Sequence, residues 1–457
     1  MISSFFQILS RRSALQRLLK KHFAGVKVEE TRTSSRQFPI ISRVDLQLAL
    51  EQMFRDMAGT KLIGISSQHG HETLSFATLL NGAVFGVNIG PLQYDEVDIG
   101  DDVPTHCLKN GLWLSYAGKL PIAVLLAPAM LHGMSQGVSV EVVVPAGQAG
   151  AQFSQEFFRD LEIRVGAGKT YRGRVISLES AQNFFGLGGS VKVHRLRKVN
   201  REDVVLPFRT LALLDRNTGS FVAVRDEIKA LQFSAKKGLL FYGPPGTGKT
   251  HTIHYLASQL PEHTTLLVTA EQVGLIGEYF RLARFLQPAI MVIEDVDLIA
   301  RERVHLQTPE QEVLLNKLLN EMDGLREDAD VIFILTTNRP DQLEPALAAR
   351  PGRIDQAIEF PLPDEEGRSK LVVLYSGKLG VPERVMELIV RRTKGSSAAF
   401  IKELMRRSAQ FQIELGGDGV LQESAVNGAI EEMVFAGGAL NLKLLGGAST
   451  ELGATPL

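Results

Sequence analysis

Gly243-Pro244-Pro245-Gly246-Thr247-Gly248-Lys249-Thr250 is the stretch on which the fold turns. It satisfies the pattern G-x-x-x-x-G-K-T and lies between the apolar run Leu239–Tyr242 and a helix-forming run, the strand–loop–helix setting that a phosphate-binding loop requires. Glycines are needed because the backbone must wrap a phosphate with its N–H groups inward, and a Cβ would block the approach. Lys249 brings a positive charge to the β- and γ-phosphates, Thr250 a hydroxyl for Mg²⁺, and the helix that starts there presents its positive end. The reading assigns Gly243, Pro244, Pro245, Gly246, Thr247, Gly248, Lys249, Thr250 and the adjoining His251 to a bound nucleotide. A second stretch, Gly166-Ala167-Gly168-Lys169-Thr170, ends in the same letters. It is rejected: Ile163 stands where the first glycine is required, and Tyr171–Ile176 reads as a strand, so a hairpin turn is expected there.

Outward from the loop, apolar runs of four or five residues alternate with longer helical stretches, the rhythm of a buried parallel sheet. Strands are expected at Leu239–Tyr242, Thr265–Thr269, Ala289–Ile293 and Val331–Thr336. Ala289–Ile293 runs straight into Glu294-Asp295-Val296-Asp297. A buried parallel strand delivers its C-terminal end to the crevice where ligands bind, so these carboxylates arrive where an NTPase holds magnesium and positions its water. Between the last two strands a helix is expected, with Thr308 as N-cap, Pro309 at its first position and Gln311 completing a capping box. Its Leu314, Leu318 and Met322 share one face, and Gly324 ends it. After Pro363 helical segments take over through about Val434, and the glycine-rich, nearly uncharged stretch from Ala436 reads as a loose tail.

A length of 457 residues exceeds one ordinary core, and 44% hydrophobic with 22% charged residues is a globular composition. Fifty basic residues against 51 acidic ones leave a net charge of -1, so no overall field draws the chain to nucleic acid or an anionic membrane. The longest apolar run, Leu120–Leu131, is interrupted by Pro121 and Pro128 and falls well short of a membrane span. A single cysteine, Cys107, suits a reducing compartment. The first 28 residues carry Arg11, Arg12, Arg17, Lys20, Lys21 and Lys27 and no acid. That pattern fits a basic surface helix of a cytoplasmic protein; the alternative is a transit peptide to the mitochondrial matrix. Residues 38–200 mix helical and strand signals, with strands at Val138–Val144 and Val191–His194, and read as an α+β domain. His69, His71 and Glu72 read as a polar loop, and Asp95, Glu96, Asp98, Asp101 and Asp102 as a solvated one, since neither group has metal-site spacing.

The span from about Phe208 to Gln410 resembles the AAA ATPases. The likeness rests on the spelling of the phosphate loop, on Met291-Val292-Ile293-Glu294-Asp295-Val296-Asp297, and on Leu335-Thr336-Thr337-Asn338-Arg339-Pro340 followed by Arg350-Pro351-Gly352-Arg353-Ile354-Asp355. The resemblance implies an α/β P-loop NTPase core with a parallel sheet flanked by helices, a wedge, at 206–363 and an α-helical lid at 364–435 entered through Thr393–Ala399; the flexible tail read from composition takes up 436–457. Before them stand the basic segment 1–37 and the α+β domain 38–200, the latter expected to receive a substrate or adaptor. The resemblance further implies ATP with Mg²⁺, Asn338 as the residue orienting the attacking water, Arg350 and Arg353 as arginine fingers serving a neighbouring copy, a homo-oligomeric ring, usually a hexamer, and a protein substrate that is remodelled. Two departures stand out. The acid pair is ordinarily Asp then Glu, whereas here Glu294 precedes Asp295, an inversion familiar in the mitochondrial Rieske-protein translocase branch. By position Glu294 then faces the metal, held with Thr250, and Asp295 is the general base. The place of the substrate-gripping pore loop reads Leu275-Ile276-Gly277, without a ring, and only ten residues separate Gly277 from Pro288. Tyr279 and Phe280, spaced with Phe285, read as core. The alternative reading is a nucleotide-switched scaffold with little turnover.

Overall fold

The computed structural model describes residues 13–55, 57, 59–67, 73–80, 86–131, 134–179, 190–297, 310–326, 328–341, 353–417 and 419–433. The chain divides into two compact units, one made of 1–172 with 177–194 and one of 173–176 with 195–457.

The first unit is built on an antiparallel sheet of β1 (Thr31–Phe38), β2 (Lys61–Ser67), β3 (Val87–Gly90), β4 (Gln93–Val97), β5 (Thr105–Ala117), β6 (Leu120–Leu131) and β7 (Met134–Pro145). Its order is β1-β7-β6-β5-β2-β3, with β4 also on β5. Alternation along β5 sends Trp113 to one face and its neighbours Leu112 and Leu114 to the other. Trp113 stacks on Phe54 of the helix Arg43–Arg55 at 5.7 Å, and Phe54 meets Phe157 of the helix Gln148–Gly166. Leu112 and Leu114 pack instead with Leu15 and Leu19 of the helix Ala14–His22 and with Phe23. That helix starts with a full capping box between Ser13 and Gln16. The basic segment is therefore not separate from this unit: from Ser13 on it fills one face of the core, and Thr31–Phe38 is a strand of the sheet, because burial of Leu15, Leu19 and Phe23 outweighs the solvation of the cationic face. β6 keeps two prolines in an inner strand because each sits where only one neighbour pairs. Pro121 lies opposite Tyr116, before the ladder to β7 begins at Ala123, and Pro128 lies opposite Val138, past the end of the ladder to β5 at Leu126.

The second unit carries the parallel sheet. β10 (Lys237–Tyr242), β11 (Thr264–Val268), β12 (Ala289–Ile293) and β13 (Val331–Thr337) form at or within a few residues of the expected runs. β14 (Gln356–Glu359) adds one edge, and the other is extended by β8 (Val175–Glu179), whose Val175 and Ile176 pair in parallel with Thr265 and Leu266. Within this unit the order is β14-β10-β13-β12-β11, with Val175 and Ile176 of β8 on the outer side of β11; β9 (Ser190–His194) is a further strand, of the first unit. This is the α/β fold of P-loop NTPases. All five residues of β12 and all seven of β13 are buried, as strands covered on both faces must be. The helix before β13 runs Glu310–Asp323, with Leu318 and Met322 buried; its expected cap at Thr308 and Pro309 lies outside the described residues. Further along this unit the helices Glu365–Tyr375, Glu383–Arg392, Ala398–Glu414 and Glu423–Glu431 close their own core around Phe400, Ile401, Leu404 and Val426.

Gly166–Thr170 is not a hairpin. Gly166 ends the helix Gln148–Gly166, and the Thr170 hydroxyl donates to Asp45 Oδ1 at 2.5 Å. A Cβ on Gly168 would strike the same carboxylate. The strand expected at once after it begins only at Val175. Among the described residues no helix is long and apolar enough to cross a membrane.

Candidate nucleotide site

The phosphate loop joins β10 to the helix Lys249–Gln259, which buries Ile253 and Leu256 against the sheet. Gly243, Gly246 and Gly248 have φ of 147°, 75° and 99°, backbone that L side chains rarely adopt. Gly243 also passes so close to the Phe360 carbonyl that a Cβ would collide with it. Lys249, 7% exposed, folds back so that its ammonium donates to the carbonyls of Gly243 at 2.8 Å and Pro244 at 3.0 Å. Burial lowers its proton affinity, while the charges of Asp295 and Asp297 work the other way. Thr247 ties the loop by donating its hydroxyl to the Pro244 carbonyl at 2.8 Å.

The acids arrive from β12. Thr250 Oγ1 donates to Glu294 Oε1 at 2.9 Å, so the longer of the two carboxylates is the one that reaches the hydroxyl. Asp295 turns away from the strand with φ 49°, a left-handed conformation that Asp tolerates better than most residues. Its N–H donates to Thr336 Oγ1 at 3.0 Å, and its Oδ1 accepts from Asn338 Nδ2 at 3.1 Å. Burial raises the Asp295 pKa first and the nearby Asp297 carboxylate adds to it, with Lys249 and Asn338 pulling the other way. Thr336 escaped the reading of the sequence, although it stands two residues before Asn338 at the end of β13, which lies beside β12 in the sheet.

The lid meets the loop directly. The Ala399 N–H donates to the Gly246 carbonyl at 3.1 Å, and Ser397 caps the helix Ala398–Glu414 by accepting from the Phe400 N–H. A Cβ on Gly246 would press on Ala399 and Ser397.

Other candidates are placed differently. The His251 ring is held by the Asp203 carbonyl at 3.1 Å, in the segment ahead of the core. Arg353 is a two-pronged partner of Asp323, its Nε at 2.8 Å from Oδ1 and its Nη2 on Oδ2, with the side chain 10% exposed. Arg350 lies outside the described residues, as do His69, His71 and Glu72. Asp95 pairs with Arg43 at 2.7 Å. Among the described residues no group of three or more His, Cys, Asp or Glu is placed to hold a metal; at the nucleotide site the Thr250–Glu294 pair supplies two oxygens beside the loop.

Leu275 and Ile276 do not form an exposed loop. A short 3₁₀ turn, Ala270–Leu275, runs directly into the helix Ile276–Phe285, and the two side chains are 7% and 0% exposed. With 20 residues from Thr269 to Pro288, the connection is used up by one turn and one short helix, so its apolar residues face inward. Tyr279 and Phe280 are fully buried, Phe280 stacked on Phe333 at 5.5 Å.

Comparison with known proteins points the same way. The profile of the family described as "ATPase family associated with various cellular activities (AAA)" matches residues 239–362. A proteasome-activating nucleotidase of Methanothermobacter thermautotrophicus is 38% identical over 189 residues, which is 39% of this chain and 46% of the relative. Another, of Methanococcus vannielii, is 30% identical over 301 residues, 63% of this chain and 69% of the relative. The 26S proteasome regulatory subunit S10B homolog B of Arabidopsis thaliana is 35% identical over 199 residues, 41% of this chain and 50% of the relative. For the first and the last of these the chain spans about half the relative's length. With the phosphate loop, the acid-ended strand and the Thr-Thr-Asn strand end all meeting at the C-terminal ends of neighbouring parallel strands, the chain belongs to the AAA family of ATPases.

Proposed function

We propose that the chain binds ATP at Gly243–Thr250 and hydrolyses it, using the turnover to remodel a protein substrate from within a homo-oligomeric ring. The observation that carries this reading is the convergence of Lys249, the Thr250–Glu294 pair and the Asp295–Asn338 pair at the C-terminal ends of adjacent parallel strands. Lys249 exchanges the carbonyls of Gly243 and Pro244 for phosphate oxygens when ATP enters, and the loop amides and the helix N-terminus complete the cradle. Thr250 and Glu294 would hold Mg²⁺, which, when bound, neutralises charge building on the phosphates. Asp295 takes the proton of the attacking water, and Asn338, bonded to the same carboxylate, orients that water. A carboxylate raised by burial is the better base for this step, since its basicity grows with its pKa.

Arg350 and Arg353 act on the ATP of a neighbouring copy in this proposal, because a planar guanidinium chelates two phosphate oxygens as charge accumulates. That function makes the site complete only in a ring, and a hexamer is the form adopted here. Arg353 must then leave Asp323 to act. The names of the relatives, proteasome-activating nucleotidase and 26S proteasome regulatory subunit, fit a partner that is itself a protein, and the near-neutral charge fits no nucleic acid. A single, buried, free thiol, Cys107, suits a cytoplasmic place of action.

A second reading is a nucleotide-switched scaffold with little turnover. It is favoured by the burial of Leu275 and Ile276, which leaves no apolar grip at that place. Steady-state phosphate release from the purified chain with ATP and Mg²⁺ decides between them. The proposal expects release that Asp295→Asn abolishes while ATP is still retained; no release from the unaltered chain, with ATP bound, leaves the scaffold.

A further inference from the structure

Beside the acids of the proposed mechanism stands a buried carboxylate that it does not use. Asp297 is 3% exposed, and it ends the same Glu-Asp-Val-Asp run that carries Glu294 and Asp295. A carboxylate is costly to bury unless donors meet it. Two do, and both come from the end of β13: Thr337 Oγ1 donates to Asp297 Oδ1 at 2.9 Å, and the Asn338 N–H donates to the same oxygen at 3.2 Å. Thr337 Oγ1 in turn accepts from the Arg339 N–H at 2.9 Å. Three successive residues, 337 to 339, are thus gathered on one oxygen and the hydroxyl bonded to it, with Asn338 in the middle. The Asn338 side chain then reaches Asp295 at 3.1 Å.

We infer that Asp297 is a positioning residue for hydrolysis: it clasps the end of β13 so that the Asn338 amide is held on the carboxylate of Asp295. The inference deepens the proposed hydrolysis and rests on it. The reason for the geometry is that Asn338 is where β13 stops; beyond the last ladder bond nothing in the sheet fixes its backbone. A hydrogen bond from its own N–H supplies that restraint, and the Thr337 hydroxyl supplies another from the adjacent residue. The clasp works through hydrogen-bond acceptance at Oδ1, so an amide at 297 can replace the carboxylate, whereas an apolar side chain of the same size cannot.

The test combines kinetics, nucleotide binding and a double-mutant cycle on the full chain. Asp297→Leu is expected to lower kcat for ATP by about thirtyfold or more, with the dissociation constant of a fluorescent ATP analogue within about threefold of the unaltered chain. Asp297→Asn is expected to keep kcat within about threefold. In an Asn338→Ala background Asp297→Leu is expected to cost less than about threefold further, because the group it positions is gone. Should Asp297→Leu fail to fold, Thr337→Val, which removes one of the two bonds and keeps the shape, is expected to lower kcat by about three- to tenfold without changing nucleotide affinity. Equal damage from Asn and Leu at 297, or losses that add in the Asn338→Ala background, overturns the clasp. An unaltered chain that hydrolyses ATP while Asp297→Leu is unimpaired overturns this inference alone; an unaltered chain without hydrolysis overturns the reading beneath it as well.

Discussion

At the scale of single residues, the exchange of the two acids is explained by reach. Glu294 contacts Thr250 at 2.9 Å across the gap between β12 and the helix Lys249–Gln259, and Asp295, one methylene shorter, is carried to Asn338 by a left-handed backbone. The order Glu-Asp therefore gives each carboxylate a partner that its length fits. It follows that Glu294→Asp breaks the contact with Thr250 and raises the Mg²⁺ concentration needed for half-maximal hydrolysis by about tenfold, a loss of about 1.4 kcal/mol, measurable by metal titration at saturating ATP. Lys249→Met removes the one cation that the loop carbonyls hold and is expected to weaken ATP binding by at least about tenfold in a fluorescent-nucleotide titration. All the residues in these two predictions were legible as motif positions. Thr336 and Asp297 were not assigned roles, because a hydroxyl or a carboxylate declares its partner only when a second strand end lies next to it.

At the scale of elements, the connection between β11 and β12 shows how length overrides a family pattern. Spacing Tyr279, Phe280 and Phe285 at helical intervals identified a core-facing helix, and Tyr279 and Phe280 are buried as that spacing requires. Phe280→Ala should cost about 3–5 kcal/mol of stability, seen as a fall in the denaturant midpoint at unchanged slope; a loss under about 1 kcal/mol would contradict its place in the core. The lid offers a pH test. Glu403 accepts from Arg406 and Arg407, and Arg407 also reaches Glu432, tying the helix Ala398–Glu414 to the end of the last one. The hydrogen bonds from Arg406, and then Arg407, lower its pKa from 4.5 to about 2. A depressed carboxylate contributes stability that is present above its unfolded pKa and is lost as pH falls through the folded one. Between pH 4.5 and about 2 this contribution disappears, and Glu403→Gln flattens that part of the stability profile; after solvent screening the effect is on the order of 1 kcal/mol, readable by chemical denaturation at several pH values.

At the scale of the whole molecule, the strand before the recognised motifs matters most. Val175 and Ile176 pair with Thr265 and Leu266, so the parallel sheet is incomplete without a segment that precedes Arg195. A shortened chain that begins at Arg195 exposes the β11 edge, and exposed edges template aggregation. It is expected to be less soluble, and lower in melting temperature by several degrees, than one that begins at Gly173, as scanning fluorimetry and size-exclusion chromatography would register. The proposed ring makes a further demand at this scale: with ATP and Mg²⁺ the mass measured by sedimentation should rise from that of one chain to a multiple of it, and a lone subunit under those conditions would leave the trans role of Arg350 and Arg353 without a basis.

What the amino-acid order determined by itself was everything encoded locally. A run of apolar residues makes a buried parallel strand wherever it sits, glycines at fixed offsets permit one loop conformation, and both are read without knowing the neighbours; β10 to β13 and the phosphate loop are of this kind. Only the tertiary structure decided what depends on distant partners. The basic N-terminal helix keeps Arg17, Lys20 and Lys21 exposed, as a surface helix does, and its apolar face is docked on the face of β5 bearing Leu112 and Leu114, which needed covering. The look-alike at Gly166–Thr170 became a helix end because Asp45, 125 residues away, accepts from Thr170, and β8 joined the sheet through β11, whose partner residues lie 90 positions later in the chain. Hydrogen bonding and burial between segments far apart in sequence carry no periodic signature, and so they are decided by folding alone.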